Sequence, residues 1–191
     1  MRALADGVRQ IVILGAGYDA RALRFRTSGV RFFEVDHPAT QADKRARLEH
    51  VGASLDGITF VAADFTEAGL AAALAAAGHD PAQSTQFLCE GVLRYLPEEW
   101  FHELLRVPAQ LAAPGSELAV STSTQDGNSR SGEEERRRAL AQQGEPVLTV
   151  PPRDVALQWV ADAGWTVLTV SDGTDADPPS PHRLLVRAAR S

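Results

Sequence analysis

The chain has 191 residues, of which 44% are hydrophobic, and this is enough for one domain with a substantial core. Its formal net charge of −6 argues against general affinity for nucleic acid or for a membrane surface. No apolar run approaches the ~20 residues of a membrane span, and the first residues lack a secretory signal, so a cytoplasmic protein is expected. The single cysteine, Cys89, excludes an internal disulfide and predicts a small core residue.

The first predicted element is a buried strand over residues 11–14, Ile-Val-Ile-Leu. It stops at three small residues that let the backbone pass close to a ligand: Gly15, Ala16 and Gly17. A strand that turns sharply into a helix at such a point is typical of the centre of a parallel sheet. A helix is predicted over 18–25, where Asp19 is interpreted equally as a helix-start residue and as a ligand contact.

The second predicted strand, over 30–35, ends in Asp36. This acid lies roughly 20 residues beyond the glycine turn, where a carboxylate can accept hydrogen bonds from the hydroxyls of a ribose. On spacing alone, Glu34 competes with Asp36 for that role. The polar segment 39–51 predicts a helix that covers one face of the sheet and has a solvated charged side.

The third and fourth predicted strands also end in acids. Residues 58–63 lead into Asp64 and Phe65, where a carboxylate could meet an exocyclic amine and an aromatic ring could lie beside a purine. The strand at 86–89 is closed by Glu90. Between these two strands, Thr66 is predicted to cap a helix over 67–77. After the fourth strand, a helix is predicted to begin at Pro97 and to kink or break at Pro108.

The remaining elements complete the sheet. A fifth strand is predicted over 118–123, then a polar loop and a charged helix over 133–143. An amphipathic helix over 153–163, with Val155, Leu157, Trp159 and Val160 inward, precedes strands over 165–170 and 183–188. With no helix between them, these last two strands should be antiparallel neighbours. The order indicates an α/β fold in one domain spanning 1–191: a doubly wound, mostly parallel seven-stranded sheet with an antiparallel edge strand.

The sequence shows no pattern of a metal site. Its five histidines are scattered without a ligand-like cluster, and surface or hydrogen-bonded core positions are the better interpretation. They are His37, His50, His79, His102 and His182.

Several motifs in order resemble the leucine carboxyl methyltransferase family and its bacterial relatives. They are ILGAGYDARALRF, FFEVDHP with KRARL after it, VAADFTEAGLAAALAAAGHDPAQSTQFLCEGVLRYLPEE and APGSELA. The resemblance covers about residues 8–123, with a weaker echo in WVADAGWTV. It implies a Rossmann-like class I methyltransferase fold with S-adenosyl-L-methionine as cofactor, and an O-methyltransferase acting on a carboxylate of a small molecule or a peptide.

The resemblance also implies roles for matching residues. The turn of Gly15, Ala16 and Gly17 would pass beneath the methionine part of the cofactor, and Asp36 would bind the ribose hydroxyls. Asp64 and Phe65 would flank the adenine, and Glu90 would sit beside the cofactor near the reacting methyl group. No catalytic residue, substrate or oligomeric state is indicated, nor a role for Arg21, Arg94 or Tyr95.

Three departures from the family pattern keep alternatives open. The family commonly has threonine at the position of Ala20 and an apolar residue at that of Arg94, and its members carry a helical segment before the first strand that is expected to be missing here. A shortened, inactive relative or an interaction module is therefore the main alternative. A nicotinamide-dependent oxidoreductase is a weaker one, because Gly15, Gly17 and Ala20 also satisfy G-x-G-x-x-A.

Overall fold

The structure, a computed structural model, describes residues 2–125, 146–172 and 183–190. Helices and strands alternate along most of it. The helices are α1 (Arg2–Ala5), α2 (Arg21–Arg24), α3 (Pro38–His50), α4 (Leu70–Ala76), α5 (Glu98–Leu111) and α6 (Arg153–Asp162), with a 3-10 turn at Leu93–Tyr95. The strands are β1 (Gln10–Leu14), β2 (Arg31–Asp36), β3 (Ile58–Ala62), β4 (Thr85–Cys89), β5 (Glu117–Ser123), β6 (Thr166–Ser171) and β7 (Arg183–Ala189).

The described strands form one seven-stranded sheet in the order β3-β2-β1-β4-β5-β7-β6. The first five strands are parallel, and β7 pairs antiparallel with both β5 and β6. The chain starts in the middle with β1, moves outward to β3 and then returns to β4 on the other side. This reversal places a crevice beyond the carboxyl ends of β1 and β4, where ligands of such sheets bind. The predicted fold class and the antiparallel hairpin are confirmed.

Helices cover both faces of the sheet because alternate strand residues point to opposite sides. The larger core cluster joins Phe33 and Phe87 of the strands to Leu74 of α4, Leu105 of α5 and Val160 of α6. The smaller cluster on the opposite face contains Ile11, Ile13 and Phe32, with Ala22 of α2. Among the described helices, none is long and apolar enough to cross a membrane.

Two predicted helices begin later than their sequences suggested. The segment 18–25 forms a helix only over Arg21–Arg24, because Asp19 Oδ1 accepts the Arg21 N–H at 2.7 Å and holds a turn before it. The helix predicted from 67 begins at Leu70. There Thr66 is not a cap: its N–H and its hydroxyl both donate to Asp64 Oδ1, so these residues form a turn.

The predicted break at Pro108 does not occur, since α5 continues through it to Leu111. Proline has no N–H to donate to the carbonyl four residues before it, which here is that of Leu104, and the neighbouring carbonyl of Leu105 accepts a hydrogen bond from Trp165 Nε1 at 3.0 Å. Burial of Pro108 and its neighbours favours the continuous helix as well. The continuous helix is thus accompanied by tertiary contacts that the local sequence does not show.

Helices α3 and α6 also differ from expectation. The side of α3 that was expected to be solvated contains Lys44, which is only 5% exposed. On α6 the buried residues are Ala156 and Val160, whereas Val155, Leu157 and Trp159 are only partly buried. The predicted charged helix over 133–143 lies outside the described residues.

Candidate functional site

The glycine turn after β1 is tied to β2 by main-chain hydrogen bonds. The N–H groups of Gly15 and Ala16 both donate to the carbonyl of Val35, at 2.8 and 3.1 Å. The N–H of Gly17 donates to Asp36 Oδ2. The turn and the end of β2 therefore form one unit, and the carboxylate of Asp36 helps to shape the turn that it faces.

Gly15 and Gly17 have left-handed backbone conformations, with φ of +70° and +43°. A Cβ added at Gly15 would collide with a side chain, because it would lie 2.1 Å from Val92 Cγ2. At Gly17 a Cβ would meet nothing within 4 Å. The first glycine is thus required by the packing of Val92 on the turn, and the second by backbone conformation alone.

Asp36 is held in place on both carboxylate oxygens. While Oδ2 accepts from Gly17, Oδ1 accepts from the N–H of His37 at 2.7 Å. The ring of His37 is oriented in turn, because its Nδ1 accepts from the N–H of Ala39 at 3.2 Å at the start of α3. Each carboxylate oxygen has a further lone pair, so this fixed acid can accept two more donors from a ligand.

Asp64 and Phe65 follow β3 at the same edge of the sheet. Hydrogen bonds from the side chain and the N–H of Thr66 hold the pKa of Asp64 below its usual value, so the carboxylate is charged at neutral pH. These bonds use Oδ1, while Oδ2 lies 3.9 Å from Nε2 of His37. Phe65 is partly buried and packs against the larger core cluster.

One cavity of about 260 Å³ brings most of the predicted residues together, and we call it the strand-end cavity. Its walls come from the ends of β1, β2, β3 and β4. It is lined by Gly15, Asp36, His37, Ala63, Asp64, Phe65, Gly91, Val92, Tyr95 and Leu96. Four of the seven residues predicted for cofactor binding are in this set: Gly15, Asp36, Asp64 and Phe65. Ala16 and Gly17 support the turn behind it.

Glu90 lies next to this cavity, at the end of β4. Its Oε2 is 2.8 Å from Nη2 of Arg21, whose guanidinium also pairs with Asp19. Arg21 therefore links the start of α2 to the end of β4 and balances the charge of Glu90. Asp19 acts at the helix start and in this ion pair, and its alternative role as a ligand contact stays a prediction.

Glu90 lines a second cavity of about 270 Å³, which we call the arginine cavity. The two cavities share Gly91 and Tyr95 in their walls, so they lie side by side. The other lining residues of the arginine cavity are Arg94, Ser121, Thr122, Ser123 and Arg183.

Glu34, the competing ribose acid, has a different role. It is 2% exposed, and its Oε2 lies 2.6 Å from Nζ of Lys44, which also donates to the carbonyl of Asp19 at 2.8 Å. Burial raises the pKa of Glu34 above its usual value, while Lys44 opposes that rise. Glu34 does not line the strand-end cavity; with Lys44 it supports the glycine turn from behind.

Sequence reasoning missed three contributions to the site: the packing of Val92, the oriented ring of His37 and the inward side chain of Lys44. The signal for Val92 and His37 was their position directly after the ends of β4 and β2. For Lys44 no sequence signal existed, since it occurs in a uniformly polar helix.

The other groups considered from sequence lie elsewhere. Cys89 is buried in the core, where burial raises the pKa of its thiol to about 12. His79 is buried and within 3.0 Å of the Thr85 hydroxyl. A larger cavity of about 640 Å³, between α5, α6 and residues 148–152, contains no strand-end acid. In the described ranges, no cluster of side chains could hold a metal ion.

Comparison with known families places this geometry in context. A family model described as "Leucine carboxyl methyltransferase" matches residues 1–108. A protein of Mycobacterium bovis, named as an S-adenosyl-L-methionine-dependent methyltransferase, is 38% identical over 175 residues, covering 89% of this chain and 56% of its own length. A similarly named protein of Frankia alni is 39% identical over 174 residues, covering 88% and 58%. The chain thus spans a little over half the length of these relatives.

Solved structures share the fold at low sequence identity. An O-methyltransferase family protein from Burkholderia thailandensis superposes with a TM-score of 0.71 at 18% identity, covering 97% of this chain and 52% of its own. Human N-acetylserotonin methyltransferase, solved in complex with S-adenosylmethionine, superposes with a TM-score of 0.65 at 16% identity, covering 96% and 43%.

Proposed function

The chain belongs to the leucine carboxyl methyltransferase family, and from this premise we propose that its strand-end cavity binds S-adenosyl-L-methionine. We propose further that the protein transfers the methyl group to a carboxylate oxygen of a small-molecule or peptide acceptor. The observation that carries the proposal is the convergence of Gly15, Asp36, Asp64 and Phe65 on one cavity at the switch point of the sheet.

The donors and acceptors of the cavity suit that cofactor. Asp36, fixed by two main-chain N–H groups, has acceptor capacity for both hydroxyls of a ribose. Asp64 retains Oδ2 for an exocyclic amine, and Phe65 offers an aromatic surface for a purine ring. The cavity is slightly smaller than the roughly 300 Å³ at which small-molecule sites begin, so a nucleoside ligand would extend beyond it.

The reaction needs little acid–base chemistry. When bound, the cofactor supplies a methyl group on a positively charged sulfur. An acceptor carboxylate is ionised at neutral pH, so an oxygen lone pair forms the new C–O bond while the C–S bond breaks and its electron pair stays on sulfur, with no proton to move. The protein therefore has to align the acceptor and exclude water.

Two groups in the wall between the cavities are placed for that alignment. Gly91 and Tyr95 border both cavities, so an acceptor oxygen beside them would face the donor. Glu90 lies next to this wall, and its carboxylate, although paired with Arg21, favours a cationic sulfur over the neutral sulfur of the product.

Calorimetric titration with S-adenosyl-L-methionine tests the proposal. We expect binding by the unmodified chain and a loss of about tenfold or more in Asp36→Asn, because hydrogen bonds to a charged group contribute roughly 1.5–3 kcal/mol. Asp56→Asn, which changes an exposed acid outside the cavity, is the matched control.

Two outcomes would contradict the proposal. If a folded sample does not bind S-adenosyl-L-methionine, that result would favour the interpretation that the chain has no methyltransferase activity. Tighter binding of NADH than of S-adenosyl-L-methionine would favour hydride transfer instead. If the cofactor binds, mass spectrometry of candidate acids incubated with it would identify a methyl ester, and its complete absence over a broad acid panel would argue against a carboxylate acceptor.

A further inference from the structure

The arginine cavity is positively charged, although it adjoins an acidic one. Arg94 and Arg183 both line it, and among the described lining residues the one acid, Glu90, is already paired with Arg21. In the part of the chain that the structure describes, neither Arg94 nor Arg183 forms an ion pair with a carboxylate. The cavity thus has two cationic groups whose charges are not balanced by the surrounding described residues.

Arg94 is the more constrained of the two. Its main chain is fixed, because its carbonyl accepts hydrogen bonds from the N–H groups of Leu148 and Thr149 at 2.9 and 3.2 Å. Its Nε is buried but has no hydrogen-bond partner in the described ranges. Since leaving a buried donor unsatisfied costs about 1–3 kcal/mol, and more for a charged group, such a donor needs an explanation. An anionic ligand in the cavity is one that satisfies it.

Arg183 reaches the same cavity from a distant part of the sequence. Strand β7 runs antiparallel to β5, so its first residue, Arg183, pairs with Ser123 at the carboxyl end of β5. A guanidinium nitrogen of Arg183 lies 3.5 Å from the hydroxyl of Ser121, which accepts the N–H of Gly91 at 3.1 Å. Ser121 therefore connects the second arginine to the wall shared with the strand-end cavity.

The group that these arginines bind differs from the one that is methylated. A carboxylate loses its negative charge when it attacks a methyl group, and a paired guanidinium stabilises that charge and so opposes the attack. An oxygen held by Arg94 would therefore be a poor nucleophile. The favourable arrangement has the reacting oxygen beside Gly91 and Tyr95, and a separate anionic group farther into the arginine cavity.

We propose that the arginine cavity binds a second carboxylate of the methyl acceptor, so that the acceptor is a small dicarboxylic acid. This inference rests on the proposed methyltransferase function and specifies its substrate class. Arg94 is the specificity-determining residue, because a guanidinium can satisfy a carboxylate through two parallel hydrogen bonds. The cavity volume of about 270 Å³ suits the end of a small dicarboxylic acid.

The test compares acids of equal length in the presence of S-adenosylhomocysteine, the neutral product. Succinate, glutarate, adipate and phthalate are each paired with the corresponding monoacid: butyrate, valerate, hexanoate and 2-methylbenzoate. Binding is measured by saturation-transfer NMR and calorimetry. We expect at least one dicarboxylate to bind about tenfold or more tightly than its monoacid, and Arg94→Leu to remove that preference.

The control variant is Arg106→Leu, which removes an arginine that pairs with Glu103 on the surface of α5. Retained S-adenosylhomocysteine affinity in Arg94→Leu shows that the variant is folded. If S-adenosylhomocysteine binds but no dicarboxylate binds more tightly than its monoacid, or if Arg94→Leu leaves the preference unchanged, the inference is wrong. If dicarboxylates bind through Arg94 but neither cofactor nor product binds, the proposed methyltransferase function fails while the anion site stands.

Discussion

The two adjoining cavities carry opposite charges and are built in different ways. In the strand-end cavity, Asp36 and Asp64 are anchored by main-chain N–H groups, and the glycine turn is tied to β2. In the arginine cavity, the guanidinium of Arg94 retains a buried donor without a partner. The first cavity is therefore organised before any ligand arrives, whereas the second has polar groups that a ligand has to satisfy.

This difference also separates what each cavity can bind. Fixed acceptors suit hydroxyl and amine donors and a cationic sulfur, and unsatisfied cationic donors suit an anion. If the two cavities are organised in these different ways, a substitution that removes a contact supporting the glycine turn should weaken cofactor binding. The same substitution should leave anion binding in the arginine cavity intact. The following predictions test this separation.

The largest effect is expected from Lys44→Ala. It leaves the buried carboxylate of Glu34 without its ion-pair partner, so the free energy of unfolding should fall by about 3–5 kcal/mol. It also frees the carbonyl of Asp19 and should weaken cofactor binding. Urea denaturation measures the first change and calorimetry the second. The double variant Lys44→Met/Glu34→Gln should recover most of the stability; a single variant as stable as the parent would contradict this account.

The next effect is expected at the glycine turn. Gly15→Ala places a Cβ against Val92 and in a left-handed conformation, so it should lower the free energy of unfolding by about 2–4 kcal/mol. Gly17→Ala, with open space around the Cβ, should lower it by only about 1–2 kcal/mol. Thermal denaturation of both variants gives the comparison. Equal losses at the two positions would show that Val92 does not impose the difference.

A smaller effect follows from the raised pKa of Glu34. A carboxyl group that holds its proton more tightly when folded contributes stability at low pH, and this is lost as pH rises above its ordinary value of 4.5. The free energy of unfolding should therefore contain a component that declines above that pH, by no more than about 1.4 kcal/mol per pH unit. Urea titrations of the parent and Glu34→Gln between about pH 5 and 7 measure it; identical pH slopes would contradict the assignment.

The smallest effect is expected for Arg21→Gln. Its ion pairs are partly exposed and stabilise the fold by about 0.2–1 kcal/mol at most. Once Arg21 is removed, the charge of Glu90 is no longer balanced, so S-adenosyl-L-methionine should bind about two- to fivefold more tightly. The neutral product, S-adenosylhomocysteine, should be almost unaffected. An equal change for both ligands would mean that Glu90 does not act on the charged sulfur.

The parts of the fold that followed from sequence were those with short-range signals. Apolar runs and the acids or glycines that end them predicted the strands, and the lack of a helix between the last two strands predicted the antiparallel hairpin. The carboxyl ends of parallel strands meet at one edge of a sheet. The predicted strands therefore also indicated that Asp36 and Asp64 lie at the same edge, and both line the strand-end cavity.

The features that sequence could not supply depend on contacts between distant residues. Glu34 and Asp36 lie on the same face of β2, yet one is buried against Lys44 and the other borders a cavity. The continuity of α5 at Pro108 accompanies a hydrogen bond from Trp165, far along the chain. The start of α4 follows from a turn between Asp64 and Thr66, which propensity alone had assigned to a helix cap.

The pairing of β7 with β5 has a consequence for how acceptor preference can change. Because side chains alternate across a strand, a slip of one residue in this register would turn Arg183 to the opposite face and remove it from the arginine cavity. The cofactor residues, on strands at the other side of the sheet, would keep their pairing. Under the proposed function, a single inserted or deleted residue near the start of β7 would therefore change the class of methyl acceptor and leave the residues proposed to bind the methyl donor unchanged.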